Sequence, residues 1–162
     1  MRIVKWLLLI VGVIVVGGIG AGRLGFLQGS PPADLGVRDG RLKAPATTPN
    51  SVSSQAALHP ENPRHGKAQI APLRYSGDGA AALARLKVLV EATPGATVVK
   101  SEPGYLYATY ATPLMRYVDD VEFWLDPAGG VIQVRSASRI GYSDQDANRA
   151  RIEALRARFE SP

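Results

Sequence analysis

The stretch that decides the fold runs from Val118 to Arg151 and reads VDDVEFWLDPAGGVIQVRSASRIGYSDQDANRAR. Apolar and polar residues alternate on both sides of the turn sequence DPAGG, which is typical of two half-buried antiparallel strands. A polar loop follows, and a helix is predicted from about residue 144 or 145 to Phe159, with Ser143 or Asp144 as its cap. The stretch therefore predicts a hairpin that leads into the last helix.

The residues upstream of this stretch predict one more helix and further strands. The predicted elements are a short strand at 70–75, a helix from Asp78 to Pro94-Gly95, and strands at 96–102 and 105–112. Sequential antiparallel strands with a helix before and after predict an α+β fold. We expect a four- or five-stranded antiparallel sheet with two helices packed on one face.

The N-terminus is apolar and predicts membrane insertion. Between Lys5 and Arg23 lie residues 6–22, without a charge, and a helix of this length just spans a hydrocarbon core of roughly 30 Å. Basic residues precede the run, which predicts a single-pass helix in the inner membrane with the following domain on the periplasmic side. A cleaved signal peptide is the alternative. Gly18 and Gly22 form a GxxxG pair, which suggests a homodimer contact.

Residues 23–69 are predicted to be a proline-rich extended segment, between the membrane segment at 1–22 and the α+β domain at 70–162. Residues 31–72 contain seven of the twelve prolines, and proline fixes φ and removes a backbone donor. The second sheet face is expected to carry Tyr105, Tyr107, Trp124 and Arg135. Such a face can stack on bases or sugars, but we expect the proline-rich segment to cover it.

Composition excludes several classes of function. The net charge is +5, and without Arg2 and Lys5 there remain 17 basic and 14 acidic residues, which is too balanced for a nucleic-acid-binding protein. The chain has no cysteine, so disulfides, thiol catalysis and thiolate-bound metals are excluded. His59 and His65 stand in an irregular segment without suitable partners, a poor metal site. We expect no metal and no cofactor.

A dense polar cluster is the candidate site. Asp119 lies on the apolar strand face, where an unpaired carboxylate is costly, and Arg135, Arg139 and Arg149 are the available cations. One hypothesis is a structural network in which Asp119 or Asp120 holds Arg139. The other is an anion site at the start of the last helix. The candidate residues are Asp119, Asp120, Arg135, Ser136, Ser138, Arg139, Tyr142, Asp144, Asn148 and Arg149.

In the network hypothesis, Asn148 satisfies the backbone groups of Gly141 and Tyr142. Adjacent strand residues point to opposite faces, so Asp119 and Asp120 are not expected to share one pocket.

The run from Val118 to Arg156, with PNSVSSQA at 49–56 and GDGAAALARL at 77–86, resembles domain-of-unknown-function family 1499 (DUF1499), found in bacteria and plastids. The likeness extends from about Leu35 to Phe159, and its most specific segment is RSASRxGYSD. The resemblance implies a membrane-associated or exported domain with no assigned reaction. Family members often carry a cysteine on each side of the Pro-Asn turn. Those positions fall near Pro45 and at Ser51 here, so the resemblance implies a looser loop.

Three functions fit the sequence. The first is a non-enzymatic, membrane-anchored envelope domain that binds an anionic ligand or a protein partner through the Arg/Asp cluster. The second is an envelope hydrolase with Asp119 or Asp120 as general acid or base. The third is a structural assembly domain that uses the sheet face as its contact surface.

Overall fold

The computed structural model describes residues 2–161 and has the α+β architecture predicted from the sequence. The helices are α1 (Arg2–Arg23), α2 (His65–Ala68), α3 (Gly79–Glu91) and α4 (Ala147–Phe159), with a 3-10 turn at Ala56–Leu58. The strands are β1 (Ser51–Ser53), β2 (Leu73–Arg74), β3 (Ala96–Glu102), β4 (Tyr105–Ala111), β5 (Val118–Asp126) and β6 (Val131–Ser138).

The sheet is antiparallel, and its strand order is β1-β6-β5-β4-β3, with β2 also paired to β6. The predicted hairpins β3–β4 and β5–β6 are both present. The prediction of four or five strands was wrong, because Ser51–Ser53 forms a sixth strand along β6, with Val52 opposite Ser136. Three residues are too few to show an alternating pattern, and Pro-Asn-Ser favours a turn. Residues 51–53 form a strand because they pair with the edge of β6 that does not pair with β5.

Helices α3 and α4 pack on one face of the sheet, as expected. The main core joins side chains from both helices with Val121, Phe123 and Val134 of the two central strands. Asp78 caps α3, since its side chain accepts a hydrogen bond from the amide of Ala81 at 2.7 Å. A shared core of this kind fixes α4 against β6.

The other face of the sheet is covered by residues 34–45, which we call the strap. Leu42 is buried against Tyr105 and Tyr107, and Leu35 and Trp124 pack beside them. The strap is held by Gln55, whose side chain accepts from the amide of Leu42 at 2.8 Å and donates to the carbonyl of Gly40 at 3.0 Å. The aromatic face is thus internal, as the sequence predicted.

The last helix begins later than predicted. Gln145 and Asp146 adopt positive φ angles of 52° and 64°, so the loop continues to Asp146 and α4 begins at Ala147. Asp144 nevertheless caps the helix, because its Oδ2 accepts a hydrogen bond from the amide of Asn148 at 2.9 Å.

Helix α1 is long and apolar enough to cross a membrane by its length and composition. A signal sequence at the N-terminus would have the same properties, so both alternatives remain.

Candidate functional site

Strand β5 carries three buried carboxylates within four residues. Asp119, Asp120 and Glu122 are 5%, 1% and 0% exposed, respectively. Each faces a different arginine, with Asp119 paired to Arg151, Asp120 to Arg139, and Glu122 to Arg135. Because the side chains alternate along the strand, Asp119 points toward the helices and the other two toward the strap.

Asp120 and Arg139 form a two-pronged ion pair. The Nε of Arg139 donates to both carboxylate oxygens at 3.1 and 3.0 Å, and its Nη2 donates to Oδ1 at 2.8 Å. Tyr107 donates to the same Oδ1 at 2.6 Å. The hydrogen bonds that Arg139 donates to Asp120 raise the pKa of Arg139, and burial, followed by the bond to Asp120, raises the pKa of Tyr107 to about 12. Arg139 is thus held by Asp120, one of the two predicted partners.

Glu122 forms a second buried pair under the strap. Its Oε1 accepts from the Tyr105 hydroxyl and from the amide of Gly36, both at 2.7 Å. Its Oε2 lies 3.5 Å from Nη1 of Arg135, whose Nε donates to the carbonyl of Ala44 at 3.3 Å. Burial lowers the pKa of Arg135 and raises that of Tyr105. This pair connects the sheet to both ends of the strap.

On the helix face, Asp119 is paired with Arg151, which the sequence analysis did not select. Arg151 donates to Asp119 Oδ2, to Asn148 Oδ1 at 2.8 Å, and to Ser136 Oγ at 3.1 Å. Its guanidinium also lies over the ring of Tyr110, 4.7 Å from the centroid. One sequence feature could have identified Arg151 as a site residue. It lies three residues after Asn148, and this spacing puts both side chains on neighbouring parts of the helix surface.

Asn148 connects the loop before α4 and helix α4 itself to the turn at residues 49–51, which we call the PNS turn. Its Nδ2 donates to the carbonyl of Asn50 at 3.1 Å, to Ser138 Oγ at 3.1 Å, and to Asp144 Oδ2 at 2.7 Å. The prediction that Asn148 satisfies Gly141 was wrong, because Asn50 donates to the Gly141 carbonyl at 2.8 Å. Asn50 is nearer to that loop because β1 continues directly from it along β6.

The PNS turn is closed by a hydrogen bond at the positions where the family resemblance implies cysteines. Ser51 Oγ accepts from the amide of Ala46 at 2.8 Å, and the carbonyl of Pro45 accepts from Asn62 Nδ2 at 2.7 Å. Both residues that flank the turn are therefore held without a covalent bond.

Two predicted site residues lie outside this network. Arg149 donates to the carbonyls of Gln69 and Lys67 at 3.1 and 2.8 Å, and it lines a small cavity of about 40 Å³ near Arg64. Tyr142 is 73% exposed.

The other predicted residues divide between the two faces of the sheet. The structure brings together on the helix face Asp119, Ser136, Ser138, Asp144 and Asn148. Asp120, Arg135 and Arg139 lie on the strap face.

An open groove of about 440 Å³ lies beside this network, at the end of the sheet where β5 begins. We call it the anchor-side groove, because Leu27, which follows α1, forms part of its wall. Its charged lining residues are Asp119 and Asp144, and Tyr117 and Ile140 add apolar surface. The remaining lining residues are Thr112, Ser138, Gly141, Ser143, Gln145 and Ala147. Its volume is within the range of small-ligand and peptide-side-chain pockets.

Sequence comparison assigns the chain to a family. Residues 41–159 match the family described as Protein of unknown function (DUF1499). No curated protein and no solved structure shows significant similarity to the chain. The matched region includes the PNS turn, all six strands and α4. Since the match covers most of the sequence, the chain belongs to the DUF1499 family.

Proposed function

We propose that this protein is a membrane-tethered, non-catalytic envelope domain that binds a segment of a protein partner in the anchor-side groove. In this proposal, α1 is retained as a single-pass anchor in the cytoplasmic membrane. The basic residues Arg2 and Lys5 favour a cytoplasmic N-terminus, so the sheet domain stands on the periplasmic side.

The chemistry of the anchor-side groove carries the proposal. The carboxylate of Asp144 lies beside the apolar side chains of Tyr117 and Ile140, and Asp119, whose charge is paired with Arg151, lines the same groove. The complementary ligand presents a cation next to an apolar group, which a lysine or arginine beside an aliphatic residue provides. Exposed hydroxyl groups and backbone at the groove edge add hydrogen-bond partners for a peptide.

The buried arginines favour a protein partner over an anionic ligand. Arg135, Arg139 and Arg151 each face a carboxylate inside the fold. An anion at these sites would have to displace a buried acid and leave it unpaired, at a cost of several kcal/mol. Anion binding through the Arg/Asp cluster is therefore the weaker alternative.

The geometry also disfavours a hydrolase. Asp119 and Asp120 lie on opposite faces of β5, as predicted, and each is bound to its own guanidinium group. Within the groove, Asp144 is occupied by the backbone amide and side chain of Asn148. A pair of carboxylates that divides acid and base roles needs one of them free to exchange a proton with substrate.

The groove is tested with two fluorescent probe peptides that differ only in charge, one carrying lysine and the other glutamate beside the same leucines. Fluorescence anisotropy with the full-length protein in detergent should show saturable binding of the lysine probe. Gln145→Lys places a like charge in the groove and should weaken this binding about five-fold, as expected for one charge at about 4 Å in water. The matched control, Ala128→Lys, lies in the turn after β5 and should not change the affinity.

The outcomes separate binding of a cationic peptide segment from binding of an anionic ligand and from assembly. Preferential binding of the glutamate probe would favour the anionic-ligand function. Binding of neither probe, together with self-association in sedimentation measurements, would favour an assembly domain.

The anchor is tested independently by cell fractionation. A retained α1 keeps the full-length protein in the membrane pellet after an alkaline carbonate wash, with the domain accessible to protease in spheroplasts. Release of a shorter soluble product would instead identify residues 1–22 as a cleaved signal.

A further inference from the structure

The loop between β4 and β5, residues 112–117, is in close contact with the end of α1. A Cβ atom at Gly22 would lie 2.3 Å from the carbonyl oxygen of Met115. A Cβ atom at Gly18 would lie 2.9 Å from Cε of the same methionine. The atom close to Gly22 belongs to the backbone and cannot easily move, so glycine is needed at that position for this approach, whereas at Gly18 the close atom is the end of a flexible side chain.

The direction of the Met115 side chain shows how far the loop reaches along α1. Its backbone lies beside Gly22 and its terminal methyl beside Gly18, so the side chain runs along α1 toward the N-terminus. Four helical residues correspond to about 6 Å of rise. Gly18 belongs to the uncharged run that ends at Gly22, so the methionine lies level with the apolar part of the helix.

Exposed apolar side chains surround this contact. Leu114, in the loop itself, is 62% exposed, and Leu24 and Phe26 are exposed just beyond α1. The linker then packs back on the domain, since Gly29 contacts the side chains of Ile140 and Arg139. The other exposed large apolar residues of this region are Tyr117, Ile140 and Tyr142. An apolar surface that is continuous with a membrane helix would be a liability in water.

Charged and aromatic residues are arranged as at a membrane interface. Arg23 ends α1, and Arg116 directly follows Met115 in the loop. Arginine side chains at such positions reach phosphate groups while their stems cover apolar surface. Tyrosine is favoured at the same level of a bilayer, which suits Tyr117.

We propose that residues 112–117 form a second membrane-contacting element, which inserts into the bilayer interface beside α1. Leu114 and Met115 enter the acyl-chain boundary, Arg116 and Arg23 contact lipid phosphates, and Tyr117 lies at the interface. This inference rests on the proposed function, because it requires that α1 is retained as an anchor.

Insertion of this loop would set the orientation of the whole domain. Strand β5 starts next to the loop and runs for nine residues, or roughly 30 Å at about 3.3 Å per residue, to the turn that contains Ala128. That turn would point away from the bilayer. The anchor-side groove, with Leu27, Tyr117 and Ile140 in its wall, would open at the membrane surface and favour a partner that also lies along the membrane.

Single-cysteine labelling tests this inference, because the natural chain contains no cysteine. Full-length Leu114→Cys, Phe26→Cys and Ala128→Cys variants are labelled with an environment-sensitive fluorophore. They are reconstituted into vesicles of phosphatidylcholine and phosphatidylglycerol that contain acyl-chain nitroxide quenchers. The label at residue 114 should be blue-shifted and quenched to an extent similar to that at residue 26, whereas the label at residue 128 should be neither.

The outcomes distinguish this inference from the anchor on which it rests. If the protein floats with the vesicles but the label at residue 114 behaves like that at residue 128, the inference is overturned and the anchor stands. If the protein does not float with the vesicles, the anchor is overturned and the inference with it. A second variant, Gly22→Val, should displace Met115 from α1 and reduce the quenching at residue 114 without loss of flotation. Unchanged quenching in this variant would contradict the packing of Met115 against Gly22.

Discussion

The two faces of the sheet are both buried, but they are built from different chemistry. The helix face is mainly a large hydrophobic core around Phe123, Val134 and Ile152, with one ion pair, between Asp119 and Arg151. The strap face combines tyrosines with two ion pairs, and Leu42 of the strap is buried against the tyrosines. An apolar core tolerates any well-fitting set of side chains, whereas each charged group on the strap face depends on one particular partner.

The difference shows how an extended segment without regular structure is held in one position. The strap packs Leu42 and Leu35 against the sheet, and its backbone donates to Glu122 at Gly36 and accepts from Arg135 at Ala44. A shifted strap would leave these buried groups without partners, which costs more than their hydrogen bonds contribute. Charge pairing thus selects the register of the strap.

The largest effect is expected from breaking the pair of Glu122 and Arg135. Arg135→Met leaves a fully buried carboxylate without its counter-ion, so the free energy of unfolding should fall by about 3–5 kcal/mol. Urea unfolding of the detergent-solubilised protein, followed by circular dichroism, measures this change.

The matched control for this prediction removes both charges. In the double variant Arg135→Met/Glu122→Gln, the glutamine oxygen can still accept from Tyr105 and Gly36, so most of the stability should return. A double variant no more stable than Arg135→Met would contradict the role assigned to the unpaired charge.

A second comparison uses two leucines that are buried to the same extent on opposite faces. Leu42 and Leu155 are each 2% exposed. Leu155→Ala should cost about 2 kcal/mol more than Leu42→Ala, within the usual range of about 2–5 kcal/mol for such changes. The reason is that Leu155 lies between rigid elements, whereas the strap can collapse into the space left at Leu42. Equal shifts in the urea midpoint would show that the strap is as rigid as the helices.

A smaller effect is expected at the start of α4. Asp144→Asn removes one carboxylate oxygen from a group whose two oxygens accept from the amides of Asp146 and Asn148, and should cost about 1 kcal/mol. Asp146→Asn makes the same chemical change at a position whose side chain caps nothing, and it keeps a residue type that tolerates positive φ. This control should unfold within about 0.5 kcal/mol of the wild type.

The sequence predicted the helix face better than the strap face, for a physical reason. Helical and strand periodicity located α3, most of α4 and the four long strands, because one buried apolar face leaves a regular pattern. It also placed Asp119 on the helix face and Asp120 on the other.

Which charged residues pair depends on how elements distant in the sequence pack together, and no local sequence pattern predicts this packing. Glu122 was not among the candidate site residues, and Arg149 was selected instead of Arg151, two positions later on the same helix. Two residues differ by about 200° around a helix, so these arginines project to nearly opposite sides. Only the docking of α4 on β6 decides which one meets Asp119.

The last prediction concerns alkaline pH, where the strap face should weaken through its tyrosines. Burial, and next the hydrogen bond to Asp120, raises the pKa of Tyr107 to about 12, from about 10 in an unfolded chain. The folded state thus favours the neutral phenol. Its contribution to stability is complete below pH 10 and is lost as the pH rises toward 12. Tyr107→Phe should therefore make the urea midpoint fall less steeply over this interval, whereas the exposed Tyr142→Phe should not. An unchanged slope for Tyr107→Phe would mean that Tyr107 loses its proton as readily in the folded chain as in water. That result would contradict the raised pKa of this buried phenol, which is bonded to a carboxylate.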